Sequence, residues 1–194
     1  MKVFTTPVAA WLNEVPIDCY SDREYCEIIR FFIFNSPCEG LSARSVSLSK
    51  YGWSAPWSKP YYLNKQLLHA SSEPIVLAVA DSYDEMDNAL KKADLDDMEK
   101  VDLAQERICI FNNLRNHVLS TFYHVRNSFA HGRFNIYPLM DASEDWVFLL
   151  EDVSPKANKN GNKMVSARAV IKKSTLLHWI AIIVRGETTY EAQK

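Results

Sequence analysis

The sequence predicts a mainly α protein, a helical bundle with a small antiparallel β-hairpin or sheet inserted before the last helix. Three observations carry this. Phe111, Leu114, Val118, Phe122, Val125 and Phe129 recur at steps of three and four, which draws one apolar stripe along a helix of period 3.6. After Gly132 the period changes: Val165, Ala167, Ala169 and Ile171 stand at every second position, a strand pattern. Ser174 to Gly186 then returns to a helical spacing through Leu176, Leu177, Trp179, Ile180 and Ile183.

The elements follow in order. Thr6 and Pro7 suit the start of a short first helix with Val8, Ala9, Trp11 and Leu12 on its apolar side. Ser21 and Glu24 form a capping box for a helix over about residues 22–34. Residues 35–60 are Ser-rich and broken by prolines and glycines, so they read as a long connection. Trp53 and Trp57 lie in it; such rings can stack on bases, but more often pin a loop to the protein body. A helix fits about residues 60–70, and another from Pro74 through Ile75, Val76, Leu77, Val79 and Met86 to about Leu90. The long striped helix starts near Asp96 or Asp97, where acids favour the positive end of the helix dipole, and ends at His131. A structure in which 103–131 is broken into strands would end this reading and the motif argument with it. Phe134 and Ile136, the run Trp146–Leu150, and residues 165–171 read as strands, with a polar turn around Asn160-Gly161.

The 194 residues suit one well-buried domain, with residues 1–73 as a helical and loop extension and 74–194 as the core, its hairpin at about 133–172. A hydrophobic content of 47% and a charged content of 24% are those of an ordinary soluble chain, and a net charge of −2 announces no nucleic-acid binder. The distribution is less even. Residues 81–106 hold ten acids against Lys91, Lys92 and Lys100, whereas 154–173 hold Lys156, Lys159, Lys163, Arg168, Lys172 and Lys173 with no acid. Cys19, Cys26, Cys38 and Cys109 make neither a CxxC pair nor a zinc spacing. No signal peptide or membrane span is evident, so a cytoplasmic protein with reduced thiols is expected.

The chemistry-bearing stretch is Arg126-Asn127-Ser128-Phe129-Ala130-His131, closed by Gly132. On a regular helix Arg126 and His131 are separated by about 7.5 Å of rise and about 140° of rotation, so both can serve one polar groove. The string RNSFAHGRF resembles the RxxxxH signature of the HEPN superfamily of ribonucleases and their inactive relatives, over roughly residues 74–185. Some plasmid- and phage-associated members look similar in carrying a hairpin before the last helix. The resemblance implies a HEPN-like fold and a metal-independent endoribonuclease of toxin–antitoxin or phage-defence type. A ribose 2′-hydroxyl would attack the adjacent phosphate and leave a 2′,3′-cyclic phosphate. His131 would move protons, Arg126 would clamp the phosphate and Asn127 would orient either partner. It also implies a homodimer that brings two motifs together, since one Arg and one His are few for this reaction. His124 and Arg133 are expected as groove neighbours, and Lys156, Lys159 and Lys163 as RNA contacts.

Other readings stand beside this one. Arg126 can simply cap or pair with acids, and His131 can bind a carbonyl at the helix end. His117, His124 and His131 recur at seven-residue steps, but metal ligands on a helix usually stand four apart and no acid completes a set, so neither metal nor cofactor is expected. A catalytically silent RNA-binding protein of the same fold is one alternative. A protein-interaction module, partner to an antitoxin or regulator through the acidic stretch, is the other.

Overall fold

The computed structural model describes residues 3–4, 22–38, 40–41, 46–53, 62–139, 145–157 and 163–187. The elements are β1 (Val3–Phe4), α1 (Arg23–Arg30) running on into a π-helical turn (Phe31–Asn35), a 3₁₀ turn (Leu48–Tyr51) and α2 (Tyr62–Leu68). Then come β2 (Val76–Ala80), α3 (Met86–Lys92), β3 (Arg107–Phe111), α4 (His117–Ala130), β4 (Phe134–Pro138), β5 (Trp146–Ala157), β6 (Lys163–Lys172) and α5 (Lys173–Arg185).

A mixed sheet, not a helical bundle, organises the chain, so the mainly α expectation is wrong. Its order is β2-β3-β6-β5-β4, with β1 paired to the start of β6. β2 and β3 are parallel and the other neighbours antiparallel. Two expected helices account for the error. The helix expected from Pro74 to about Leu90 is strand β2 followed by α3, which takes up only its end from Met86, and the start placed at Asp96 or Asp97 precedes strand β3. The helix that carries the motif is therefore α4 alone, 14 residues long. A strand inside 103–131 ends the argument from a long bundle helix, and only the local geometry at the end of α4 remains to be read.

The remaining expectations divide. The hairpin before the last helix is present as β5–β6, with β4 beside it. Residues 5–21, including Thr6, Pro7 and Ser21, lie outside the described residues. The cap of α1 is Asp22, whose carboxylate accepts from the Tyr25 N–H at 2.7 Å. Ser174 does not cap α5; the cap residue is Lys172, and the Ser174 hydroxyl donates to Asp145 instead. Trp53 pins its loop to the body: it is 1% exposed and its Nε1 donates to the Ile183 carbonyl near the end of α5. Trp57 lies outside the described residues.

Strand alternation gives the sheet two apolar faces. On the first, Ile108, Ile110, Phe148, Leu150, Ala167, Ala169 and Ile171 meet α1, α2, α4 and α5. Phe32, Phe122, Phe129 and Trp179 fill the space between, with ring centroids 5.6–5.8 Å apart. The described part of the amino-terminal third thus belongs to this core, through Tyr25, Ile28, Phe31, Phe32, Leu48 and Trp53. On the second face Ala78, Ala80, Cys109, Val147, Leu149 and Val170 meet α3 and the loop after it. Among the described residues no helix is long and apolar enough to cross a membrane.

Candidate functional site

Four of the six predicted stripe positions do what a stripe should: Val118, Phe122, Val125 and Phe129 are buried. Phe111 belongs to β3 and Leu114 is exposed. With that face of α4 fixed against the sheet, the flanks of the helix decide where its polar side chains go.

Arg126 leaves the helix on the side of Leu41. Its Nη1 donates to Asn127 Oδ1 at 3.0 Å and its Nη2 to the Leu41 carbonyl at 3.4 Å. Its Nε is buried and donates to no acceptor among the described residues. No carboxylate pairs with it there, so among the described residues this half-buried cation has no counter-charge. Among the described residues, then, Arg126 does not pair with an acid.

His131 sits just past the last turn. The helix ends in a Schellman motif: Gly132, at φ +62°, donates to the Phe129 carbonyl at 3.2 Å, and Arg133 N–H to the Ser128 carbonyl at 2.8 Å. A left-handed residue is required at 132, and glycine takes that conformation without steric cost. Because the backbone satisfies these carbonyls, the His131 ring is not needed as a cap. The residue is exposed, and its ring makes no hydrogen bond among the described residues.

Asn127 and His124 point inward instead. His124 is 2% exposed, with Nδ1 2.7 Å from Asp152 Oδ2 and Nε2 2.7 Å from the Phe111 carbonyl. Asn127 Nδ2 reaches the same Asp152 oxygen at 3.4 Å, as does the Ser166 hydroxyl. His124 is thus a strut between α4, β3 and β5, not a lining residue of a groove. Arg133 shares the fully buried Glu151 with Arg168, whose Nε donates to Glu151 Oε2 at 2.9 Å. Arg168 also donates to the carbonyls of Leu95 and Asp96, so the run of basic residues at 154–173 contains one buried charge. Lys163 is exposed at the start of β6, beyond Asp152 along the hairpin by about five residues or about 15 Å. It does not join Arg126 and His131. Lys156 lies on β5 and Lys159 outside the described residues.

The acidic stretch does not form one surface. Glu106 is buried, where it accepts from Lys172 N–H and the Thr175 hydroxyl, and Asp94 pairs with Arg107. Among the described residues no three His, Cys, Asp or Glu side chains are grouped to hold a metal ion.

Arg126 and Asn127 are in contact in the last turns of α4, His131 follows at the C-cap with no contact to either among the described residues, and two residues that sequence reasoning missed stand beside them. Asp152 holds Asn127 and His124 from β5. Cys38 lies beneath Arg126; its thiol is pushed up to about 11 by burial, which the Ser36 hydrogen bond and the Arg126 charge only partly offset. The adjacent acids Glu151-Asp152 directly after an apolar run were the available signal, since strand alternation must bury one of such a pair on either face. No protein family, curated protein or solved structure matches this chain.

Proposed function

We propose that the end of α4 binds RNA phosphate and that the chain, as a two-fold dimer, is a metal-independent endoribonuclease. Arg126 is its phosphate clamp and His131 its proton carrier. One observation carries the reading: Arg126 is a half-buried cation with no acid beside it among the described residues, five residues before an exposed histidine that the Schellman motif relieves of capping. A guanidinium has five N–H donors; two are used here and Nε is buried, which leaves one N–H on each of Nη1 and Nη2 for phosphate oxygens. The proposal draws nothing from a bundle fold.

The test is incubation of purified protein with total cellular RNA, with and without EDTA. Cleavage in EDTA with 2′,3′-cyclic phosphate ends is expected. His131→Ala is expected to lose about 10²–10⁴-fold in rate. Arg126→Lys should rescue Arg126→Ala poorly, because a point charge cannot reproduce the planar fork. Cleavage that needs magnesium, or that survives both alanine variants, places the site elsewhere.

A second reading is favoured by the His131 ring, which nothing orients among the described residues. In it the same Arg126 site binds RNA without cutting it. Retained RNA affinity in His131→Ala, with no cleavage by the parent chain, would decide for that reading.

A further inference from the structure

We propose that Asp152 is the positioning residue of this site: from strand β5 it sets the direction of the Asn127 amide, and through it the Arg126 guanidinium. The inference rests on Arg126 being the phosphate contact proposed above. It deepens that reading by naming what holds the contact in place.

The chain of contacts is short. Asp152 is 3% exposed, and its Oδ2 faces three side chains: His124 Nδ1 at 2.7 Å, Asn127 Nδ2 at 3.4 Å and the Ser166 hydroxyl at 3.4 Å. An ionised carboxylate only accepts, so the NH₂ end of Asn127 must turn toward it. That leaves Asn127 Oδ1 facing the other way, where it accepts from Arg126 Nη1 at 3.0 Å. A reversed amide would set its oxygen against the carboxylate and its NH₂ against the guanidinium, losing both bonds. The acceptor-only character of Asp152 is therefore what makes Asn127 an acceptor for arginine.

His124 secures the carboxylate in turn. The Phe111 carbonyl can only accept, so His124 Nε2 donates to it and carries a proton. The contact between Nδ1 and Asp152 Oδ2, at 2.7 Å, is the shortest that the carboxyl makes to a side chain and fixes it from the side of β3. The network thus runs from β3 through α4 to β5 and ends on Arg126, whose only other bond among the described residues is the longer one to Leu41. A guanidinium with one firm bond depends on that bond for its direction, which is why a group two contacts away can matter.

The test reads Arg126 directly. In the free, full-length protein, nitrogen-15 NMR is expected to show resolved, slowly rotating Nη–H signals for Arg126. Asp152→Asn can turn an amide N–H or an oxygen toward Asn127, and is expected to collapse those signals while circular dichroism stays that of a folded chain. Asn127→Ala cuts the same link without touching the His124–Asp152 pair, so it serves if Asp152→Asn does not fold. The second arm measures binding of a short RNA oligonucleotide. Asp152→Asn is expected to weaken it about five- to tenfold in the parent and not at all in an Arg126→Ala background. A structural role alone would give the same loss in both backgrounds. The proposal is overturned if a folded Asp152→Asn, or Asn127→Ala in its place, leaves the Arg126 signals unchanged. It is equally overturned if the affinity losses are additive. If Arg126→Ala alone does not weaken RNA binding, the proposed function fails, while the NMR arm still decides whether Asp152 positions Arg126.

Discussion

Burial holds the described core thiols in their neutral form. Cys38 is pushed up to about 11 and Cys109 to about 12, in each case chiefly by desolvation, with nearby arginine charges pulling the other way. Tyr51 is raised for the same reason. An unfolded thiol ionises near 9.0, so above that pH the unfolded chain binds fewer protons than the folded one. Stability therefore falls as pH rises from about 9 toward about 11 and 12. The urea midpoint is expected to be lower at pH 10 than at pH 8, with a flatter pH dependence in Cys109→Ala; an unchanged midpoint would count against this burial. Alkylation at pH 8 should mark the exposed Cys26 and spare Cys38 and Cys109 until urea is added. At this scale the sequence was partly readable. Arg126 and His131 announce themselves through their spacing and the glycine after them. Asp152 does not, because its partners His124 and Asn127 stand 28 and 25 residues away on another element.

The end of α5 shows how one element is terminated by another. Gly186 has φ +73°, and a Cβ built there would lie 2.4 Å from the Tyr51 carbonyl oxygen and 3.5 Å from the Gly52 Cα. Those atoms are backbone and cannot rotate away. Gly186→Ala combines a left-handed strain with this clash, so it should cost at least about 2 kcal/mol in urea unfolding. A loss below about 0.5 kcal/mol would mean that the 48–53 turn does not press on α5 as described. The same turn supplies Trp53, whose indole takes up a carbonyl of the helix end. The sequence located this boundary because glycine marks it. The end expected at about Leu90 falls two residues short of the end of α3 at Lys92, which closes in a Schellman motif like that of α4. Leu95 N–H reaches the Leu90 carbonyl and Asp94 N–H the Lys91 carbonyl, but the left-handed residue is Asp94, at φ +52°. With no glycine to stop it, the acidic stretch reads as the start of a longer helix. β2 and β3 were lost for a related reason. Ile75–Val79 and Ile108–Ile110 are short apolar runs with no polar alternation, which periodicity alone does not tell from a helix; β3 is buried on both faces, whereas β2 at the sheet edge leaves Val76 exposed.

At the scale of the molecule, the sheet explains why two neighbouring acids can both sit inside it. Glu151 and Asp152 are neighbours on β5 and therefore point to opposite faces. Glu151 meets Arg133 and Arg168 on the side of the loop after α3, and Asp152 meets His124 and Asn127 on the side of α4. Each face thus carries a buried acid with its hydrogen-bond partners near the end of α4, while the His131 ring makes no hydrogen bond among the described residues. Cleavage needs groups on both sides of the phosphate, and one chain offers a single Arg126 and a single His131 at this end. A second copy related by a two-fold axis would supply the missing pair, and the isologous contact would bring like helix ends together. Mixing subunits tests this without a structure of the dimer. If Arg126 of one chain acts with His131 of the other, a heterodimer of Arg126→Ala and His131→Ala chains contains one dead site and one intact site. Free exchange makes half of the dimers mixed, so the mixture should recover about a quarter of the parent rate from two inactive proteins. Subunit exchange is verified by native mass spectrometry of differently tagged chains. Recovery of that size assigns the site to two chains. No recovery after verified exchange, or a monomer by sedimentation at micromolar concentration, assigns each Arg126–His131 pair to its own chain and removes the composite site.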